Sequence, residues 1–132
     1  MAGDWIERNI VNRGMRTLVL LGRDIDGVRI LEVKGRRTGR PRRAPVKLLE
    51  VDSERYVVSL RGESDWVRNL RQDPRAHILF GRESVAVNAV ELPPNQRSPI
   101  VQAYLAAATR NETRRALAQD LAELPVFRLD AA

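Results

Sequence analysis

Between Lys34 and Arg43 the chain carries a run of cations that no acidic residue interrupts. This stretch, KGRRTGRPRR, contains six basic residues, two glycines and one proline. The whole chain has 23 basic and 17 acidic residues, so without these six the two numbers would be equal and the net charge of +6 would vanish. A charge excess confined to one short stretch is typical of a site that binds an anion. We call residues 34–43 the basic segment.

Glycine and arginine give the basic segment two ways to bind an anion. Gly35 and Gly39 would let the backbone turn so that successive N–H groups form a concave nest for phosphate or carboxylate oxygens. The arginines Arg36, Arg37 and Arg42 would add planar groups that each bind an oxyanion through two parallel hydrogen bonds. Several such groups in one stretch predict a ligand with more than one negative charge, such as a polyanionic cofactor.

Two other interpretations of the basic segment are open. It could be a solvated hairpin turn, although the absence of interleaved acids argues against a purely solubilising role. It could also bind the phosphates of a nucleic acid. Aromatic side chains that would stack on bases are few and scattered, and we therefore expect no nucleic-acid partner. These residues are Trp5, Tyr56, Trp66, Phe80, Tyr104 and Phe127.

The chain has no cysteine and one histidine, His77. The lack of cysteine excludes disulfides, thiolate nucleophiles, iron–sulfur clusters and thiolate zinc sites, and one histidine forms no cluster for a transition metal. His77 lies in the apolar stretch AHILF, where we expect a structural role. We therefore expect any chemistry to come from a bound cofactor, and no metal site is expected.

Apolar residues recur at helical spacing near the N-terminus, between a cap at Asp4 and a stop at Gly22. The pattern predicts an amphipathic helix that packs on the rest of the protein, with peripheral membrane contact left open. Its apolar residues are Trp5, Ile6, Ile10, Val11, Met15, Leu18, Val19 and Leu21. From Val28 onward, short apolar stretches predict antiparallel strands at 28–33, 44–51, 55–60, 76–80 and 84–92. Such a series is typical of a sheet or small barrel.

Three further elements complete the predicted fold. A short helix is expected at 64–73, capped by Ser64 or Asp65 and ended by Pro74. A C-terminal helical segment would begin at the cap Ser98, Asn111 would cap a second helix, and a last strand would cover 126–129.

With 132 residues, we expect one domain spanning 1–132. No basic start precedes a long apolar run, which predicts a cytoplasmic location.

The stretch from about Leu31 to Phe80 resembles the deazaflavin-dependent nitroreductase and quinone-reductase family, which uses coenzyme F-420, an 8-hydroxy-5-deazaflavin. The similarity rests on GRRTGRPRRAPV, a strand that ends in Ser59, and GESDWVRNLRQDP. The family pattern has a glycine, two basic residues, a serine or threonine, and a glycine, followed by an arginine and a proline spaced as Arg42 and Pro45 are. Downstream it has a serine, a glycine, a tryptophan, an asparagine–leucine pair and a proline, all matched here in order and spacing.

The resemblance implies a split β-barrel of the flavin- and deazaflavin-binding oxidoreductase type, with helices packed around it. It places the coenzyme's phosphate and polyglutamate tail on the basic segment. It places the ring and ribityl part near Pro45, Ser59, Gly62, Trp66 and Asn69. Ser59 is the candidate for donating a hydrogen bond in the chemical step. The implied cofactor-binding residues are Gly35, Arg36, Arg37, Thr38, Gly39, Arg42, Pro45, Ser59, Gly62, Trp66 and Asn69.

The resemblance further implies an oxidoreductase in which the reduced coenzyme delivers hydride to a quinone, a nitro compound or another conjugated electrophile. Family members that act on nitroimidazoles and quinones have tyrosines in the C-terminal part of the substrate pocket. This chain has just one tyrosine after Asn95, which is Tyr104. A coenzyme carrier without fast chemistry stays open, as does flavin mononucleotide as the ligand, although its single phosphate leaves several arginines unexplained. A homodimer is also left open.

Overall fold

The computed structural model describes residues 27–106, 110–117 and 119–132. The predicted N-terminal helix lies outside these residues. The strands are β1 (Val28–Lys34), β2 (Pro41–Lys47), β3 (Leu49–Val51), β4 (Glu54–Val58), β5 (Arg75–Phe80), β6 (Glu83–Glu91) and β7 (Val126–Ala131). The helices are α1 (Asp65–Gln72), α2 (Arg97–Ala106) and α3 (Arg110–Leu117), and two 3-10 turns cover Pro94–Gln96 and Leu121–Glu123. None of the described helices has the length and apolar character needed to cross a membrane.

All of these strands belong to one antiparallel sheet, which confirms the predicted series of strands. Their order across the sheet is β2-β1-β5-β6-β7-β4-β3. Strand β2 nevertheless contacts β4, although four strands lie between them in that order. The sheet must therefore curl strongly about its own axis, as the twist of antiparallel strands allows, and it forms an incomplete barrel.

The concave side of the sheet holds the main core. Alternate residues of each strand point inward, and the first helix, α1, closes the cavity with Val67 and Leu70. Phe127 on β7 is 2% exposed and packs against Trp66 at the start of α1. Other members of this core are Leu31, Val33, Val46, Val57, Ala76, Ile78, Val87, Ala89 and Leu129.

A second core lies between the sheet and helices α2 and α3. Tyr104 is buried there, and its hydroxyl donates a 2.5 Å hydrogen bond to Glu112, whose other oxygen lies 3.5 Å from Lys47 Nζ. Burial and the hydrogen bond to Glu112 raise the pKa of Tyr104 above its ordinary value. Tyr104 is thus a core residue that joins the two helices. Other members of this core are Val58, Leu60, Leu92, Ile100, Val101, Ala116, Leu124 and Val126.

Several predicted boundaries are wrong by a few residues. The stretch 44–51 is divided between β2 and β3 at Leu48, which belongs to neither strand. Helix α2 starts at Arg97, directly after a 3-10 turn, so Ser98 is inside the helix and does not cap it. Asn111 likewise lies within α3. Pattern alone misplaces such ends because tertiary contacts extend or shorten each element.

The packing of Phe127 predicts a large effect on stability. Replacing Phe127 with Ala should lower the free energy of unfolding by about 3 to 5 kcal/mol, because a fully buried ring is removed and a cavity remains. Val85→Ala is the control, since Val85 is 42% exposed and its truncation should cost less than about 1 kcal/mol. Denaturant unfolding of both variants measures the difference, and equal stabilities would contradict the core described here.

The end of α1 predicts a carboxyl group with an unusual titration. Asp73 accepts hydrogen bonds from the guanidinium and backbone N–H of Arg75, which lower its pKa to about 2. Because the folded-state pKa lies below the ordinary value of 3.8, the stabilisation is complete above about pH 4 and is lost as the pH falls towards 2. Carbon-13 NMR titration should show this midpoint, and Arg75→Ala should raise it. An unchanged midpoint in that variant would contradict the pairing.

Candidate functional site

The basic segment forms a β-hairpin between β1 and β2. Lys34 pairs with Pro41 and Val33 with Arg42, so the turn itself covers residues 35–40. We call these residues the basic turn. The last three residues of the basic segment therefore belong to β2, although the sequence pattern treats the whole stretch as a loop. Strand geometry fixes the direction of Arg42 and Arg43 more firmly than a loop would.

Hydrogen bonds within the basic turn hold its shape. Gly35 N–H bonds Arg40 O at 2.8 Å, and Gly39 N–H bonds Gly35 O at 2.9 Å. Arg40 N–H bonds the Thr38 hydroxyl oxygen at 3.2 Å. These bonds occupy N–H groups that the predicted nest would have offered to an anion. The N–H groups of Arg37 and Thr38 stay without a partner among the described residues.

The two glycines of the basic turn have different reasons to be glycine. Gly39 has φ +74°, a backbone conformation that other residues rarely adopt. Gly35 has no positive φ, but a Cβ there would lie 3.0 Å from Arg40 O and 3.3 Å from Arg42 Cγ. The missing side chain of Gly35 therefore makes room for the side chain of Arg42.

A long-range contact ties the basic turn to helix α1. Asn69 Oδ1 accepts hydrogen bonds from Arg36 N–H at 3.1 Å and from Arg36 Nη1 at 2.9 Å. Arg36 Nη2 also lies 3.3 Å from Asp65 Oδ1. Asn69 is 4% exposed, whereas the Asp65 side chain is 86% exposed. Most of the strength of the contact therefore comes from the buried amide, since exposed ion pairs contribute little.

Between the basic turn, β2 and α1 lies a cleft of about 600 Å³, a size typical of small-molecule sites. Eight of the predicted residues line it: Gly35, Arg36, Arg37, Thr38, Arg42, Pro45, Trp66 and Asn69. Ser59 and Gly62 do not, and Gly39 faces a separate cavity of about 300 Å³ that His77 also lines. The cleft thus joins residues from two stretches that are about twenty positions apart in the chain.

Some arginines of the cleft form ion pairs with acidic side chains and others do not. Arg43 contacts Glu32 at 2.9 Å, and Arg36 contacts Asp65. Arg37 and Arg42 have no acidic partner among the described residues. Because both side chains line the cleft, they supply its uncompensated positive charge and are the arginines most suited to an anionic ligand.

The lining of the cleft also includes apolar side chains. Val33, Ala44, Pro45 and Trp66 contribute its surface. The Trp66 ring packs on Phe127, with 6.0 Å between ring centroids and an interplanar angle of 57°. Anchoring in the core fixes the tryptophan, so the wall it forms can hold a flat ring by stacking or edge contact.

Ser59 lies beneath the rim of the cleft in a turn that covers residues 59–64, which we call the serine turn. Its hydroxyl donates to Gly62 O at 2.7 Å and lies 3.3 Å from the Ser64 hydroxyl, while its N–H bonds Pro125 O at 2.9 Å. The residue is 3% exposed. In this arrangement Ser59 holds the serine turn, and a part in the chemical step stays a prediction.

The serine turn and the first residue of α1 bring to the cleft three residues that the sequence pattern did not single out as ligand contacts: Arg61, Ser64 and Asp65. Ser64 occupies the predicted cap position of α1, yet its side chain makes no capping bond, because the hydroxyl is oriented towards Ser59. All three lie between Ser59 and Trp66, which were both predicted. The signal was therefore their position between two predicted residues, and only the fold shows which of them reach the cleft.

The packing around Gly35 predicts a position-specific effect. Gly35→Ala should lower the free energy of unfolding by about 1 to 3 kcal/mol, because the new Cβ crowds the Arg40 carbonyl oxygen. Gly39→Asn is the matched control, since its nearest neighbour would be Lys34 Cε at 3.6 Å and asparagine tolerates positive φ better than most residues. Thermal or denaturant unfolding compares the two. Equal tolerance at both positions would contradict the close approach.

Comparison with solved structures shows the fold. The chain is 18% identical to a protein described as a domain-swapped dimer, with a TM-score of 0.65 over 98% of this chain and 100% of that one. It is 18% identical to an F-420-H2 dependent reductase (FDR-A), with a TM-score of 0.63 over 79% and 94%. An FAD-binding protein from Mesorhizobium loti is 19% identical, with a TM-score of 0.56 over 89% and 88%. These likenesses confirm the predicted split β-barrel.

Comparison at the level of sequence identifies the family. No curated protein matches the chain significantly. The model of a protein family described as F-420H(2)-dependent quinone reductase, however, matches residues 5–130. This match confirms the deazaflavin family that the basic segment and the serine turn predicted. The chain belongs to the F-420H(2)-dependent quinone reductase family.

Proposed function

We propose that this F-420-dependent oxidoreductase binds its reduced coenzyme in the cleft and transfers hydride to a quinone. The observation that carries the proposal is the mixed lining of the cleft. It includes two arginines, Arg37 and Arg42, without acidic partners among the described residues, and apolar side chains that include Trp66, which packs on the core. A ligand that has both a flat ring and several negative groups matches this lining.

The residues present fit the coenzyme that the family uses. A deazaflavin ring would lie along Pro45, Ala44 and Trp66, where apolar surface is available. The phosphate and the polyglutamate tail would extend towards Arg37 and Arg42. Each charge-assisted hydrogen bond to such a group contributes about 1.5 to 3 kcal/mol. Flavin mononucleotide, with a single phosphate, would leave part of this positive surface unused.

When bound, the reduced coenzyme supplies a hydride, and the quinone also takes up one proton to become a hydroquinone. The residues of this chain bind and orient the reactants. Trp66 is held by Phe127 and fixes one wall of the cleft. Arg61 also lines the cleft, and its cation would stabilise negative charge that develops on the acceptor oxygen. The proposed catalytic contribution is thus orientation and electrostatic stabilisation by fixed groups.

A quinone is favoured over a nitro compound as the acceptor. The family is named for quinone reduction. In addition, the one tyrosine of the C-terminal half, Tyr104, lies in the second core with its hydroxyl bonded to Glu112, and it does not line the cleft. Tyr104 therefore does not offer its hydroxyl to a nitro group in the cleft.

The proposals for the oligomeric state and the cellular location are more general. The likeness to a protein described as a domain-swapped dimer supports a homodimer as the assembly. A small-molecule electron acceptor is the expected partner. The cytoplasmic location and membrane contact through the N-terminal helix stay predictions, as does the interpretation of the chain as a carrier without fast chemistry.

Fluorescence titration of F-420 with the purified protein tests the proposal. Arg37→Ala and Arg42→Ala should each weaken binding about tenfold, because each removes a charge-assisted hydrogen bond. The matched control is Arg82→Ala, an exposed arginine in the turn between β5 and β6 that does not line the cleft. It should bind as the unmodified protein does.

Mixing the reduced coenzyme, the protein and a soluble quinone then separates a reductase from a carrier. A reductase should restore the absorbance of the oxidised coenzyme at a rate that depends on protein concentration. Saturable binding without this turnover would favour the carrier, and binding of a duplex oligonucleotide in place of F-420 would favour the nucleic-acid interpretation. Unchanged affinity in both arginine variants would remove the basic segment from the coenzyme site.

A further inference from the structure

Asn69 is a buried polar residue whose two ends have different surroundings. Its side chain lies on α1 and lines the cleft, and the residue is 4% exposed. Two donors of Arg36 converge on one atom of the amide, at 3.1 and 2.9 Å. Only the oxygen of an amide can accept both bonds. The contact with Arg36 therefore determines which way the Asn69 amide points.

The other end of the amide, Nδ2, is a donor without a partner among the described residues. Within the same part of the chain, no buried side-chain nitrogen or oxygen lacks a partner. Nδ2 must then reach open space, and the space that Asn69 lines is the cleft. An NH₂ group held in this way is ready to donate to a ligand, and its own orientation costs little on binding.

The groups beside Asn69 are donors too. Its oxygen is bonded to Arg36 N–H, and the next two N–H groups along the chain, of Arg37 and Thr38, have no partner among the described residues. The Thr38 oxygen accepts from Arg40 N–H, which leaves the hydroxyl hydrogen available to donate. Asp65, an acid on the rim, is held by Arg36. A site whose available groups are hydrogen-bond donors favours the binding of an oxyanion.

We propose that Asn69 donates through Nδ2 to a phosphate oxygen of the ligand, and that Arg36 is a positioning residue that orients this amide. The inference rests on the proposed function and changes two roles that the family resemblance implied. Arg36 orients a donor in place of binding the tail, and Asn69 contacts the phosphate in place of the ring. The direct charge contacts come from Arg37 and Arg42.

Asn69→Asp separates the two ends of the amide. The carboxylate still accepts both bonds from Arg36, so the basic turn stays tied to α1 and the melting temperature should not fall. The cleft, however, now presents an acceptor with negative charge where a donor was. We expect the affinity for F-420 to fall at least about tenfold. Arg36→Ala removes the bond from Nη1 but keeps the bond from the backbone N–H, so the amide is held less firmly and the expected loss of affinity is smaller, about threefold to tenfold.

The double variant tests whether Arg36 acts through Asn69. If it does, Arg36→Ala combined with Asn69→Ala should weaken binding by less than the product of the two single effects. Asn88→Asp is the matched control, because it makes the same substitution as Asn69→Asp at an exposed residue of β6 that does not line the cleft, and it should change affinity less than twofold. Wild-type affinity in Asn69→Asp, or independent effects in the double variant, would overturn the inference while the proposed function stood.

A second measurement does not depend on the coenzyme. In nitrogen-15 NMR spectra the side-chain NH₂ signals of Asn69, which are assigned by their absence from Asn69→Asp, should shift when the protein is titrated with inorganic phosphate, and the shift should be reduced in Arg36→Ala. If F-420 did not bind but phosphate moved these signals, the proposed function would fail and the inference would stand. If phosphate left them unmoved, the inference would be overturned.

Discussion

The contact between Arg36 and Asn69 is the interaction on which the rest of the site depends. It joins a turn at one end of the sheet to a helix more than thirty residues later, and it does so through a buried amide with both of its bonds to a single residue. Removing one partner of such a buried contact leaves a buried polar group without a hydrogen bond, which lowers the stability of the folded protein. The contact therefore holds together the two walls of the cleft, and the basic turn cannot move away from α1 without losing it.

The curl of the sheet makes that contact geometrically possible. Strand β2 lies at one edge of the sheet and β4 near the other, yet the two touch. The chain then leaves β4 through the serine turn and enters α1, so the helix starts directly across from the hairpin of β1 and β2. Phe127 and Val67 pack in the space between. Close packing of this core sets the distance between the walls, because interiors tolerate little change in volume.

Charge distribution explains why so many arginines occur in ten residues. Like charges in one segment repel each other, and ion pairs relieve part of this repulsion: Arg43 pairs with Glu32 and Arg36 with Asp65. Two arginines on the cleft are left to be neutralised by a ligand. A polyanionic coenzyme would thus both complete the site and relieve the remaining repulsion, and the unbound protein keeps a strong local field that attracts such a ligand.

From the sequence alone, the strands, the short helix, the basic segment and the family could be read, because alternation of apolar residues, helix-ending residues and net charge are local properties. The tertiary structure decided which arginines are available to bind an anionic ligand. Arg36 and Arg37 are neighbours of the same type, yet one bonds a buried amide and the other faces the cleft without an acidic partner. Ser59 is another example, since its position in the motif suggested chemistry while its hydroxyl closes a turn. Hydrogen-bond partners distant in the chain settle such roles, and they are brought together only when the sheet curls and the core packs.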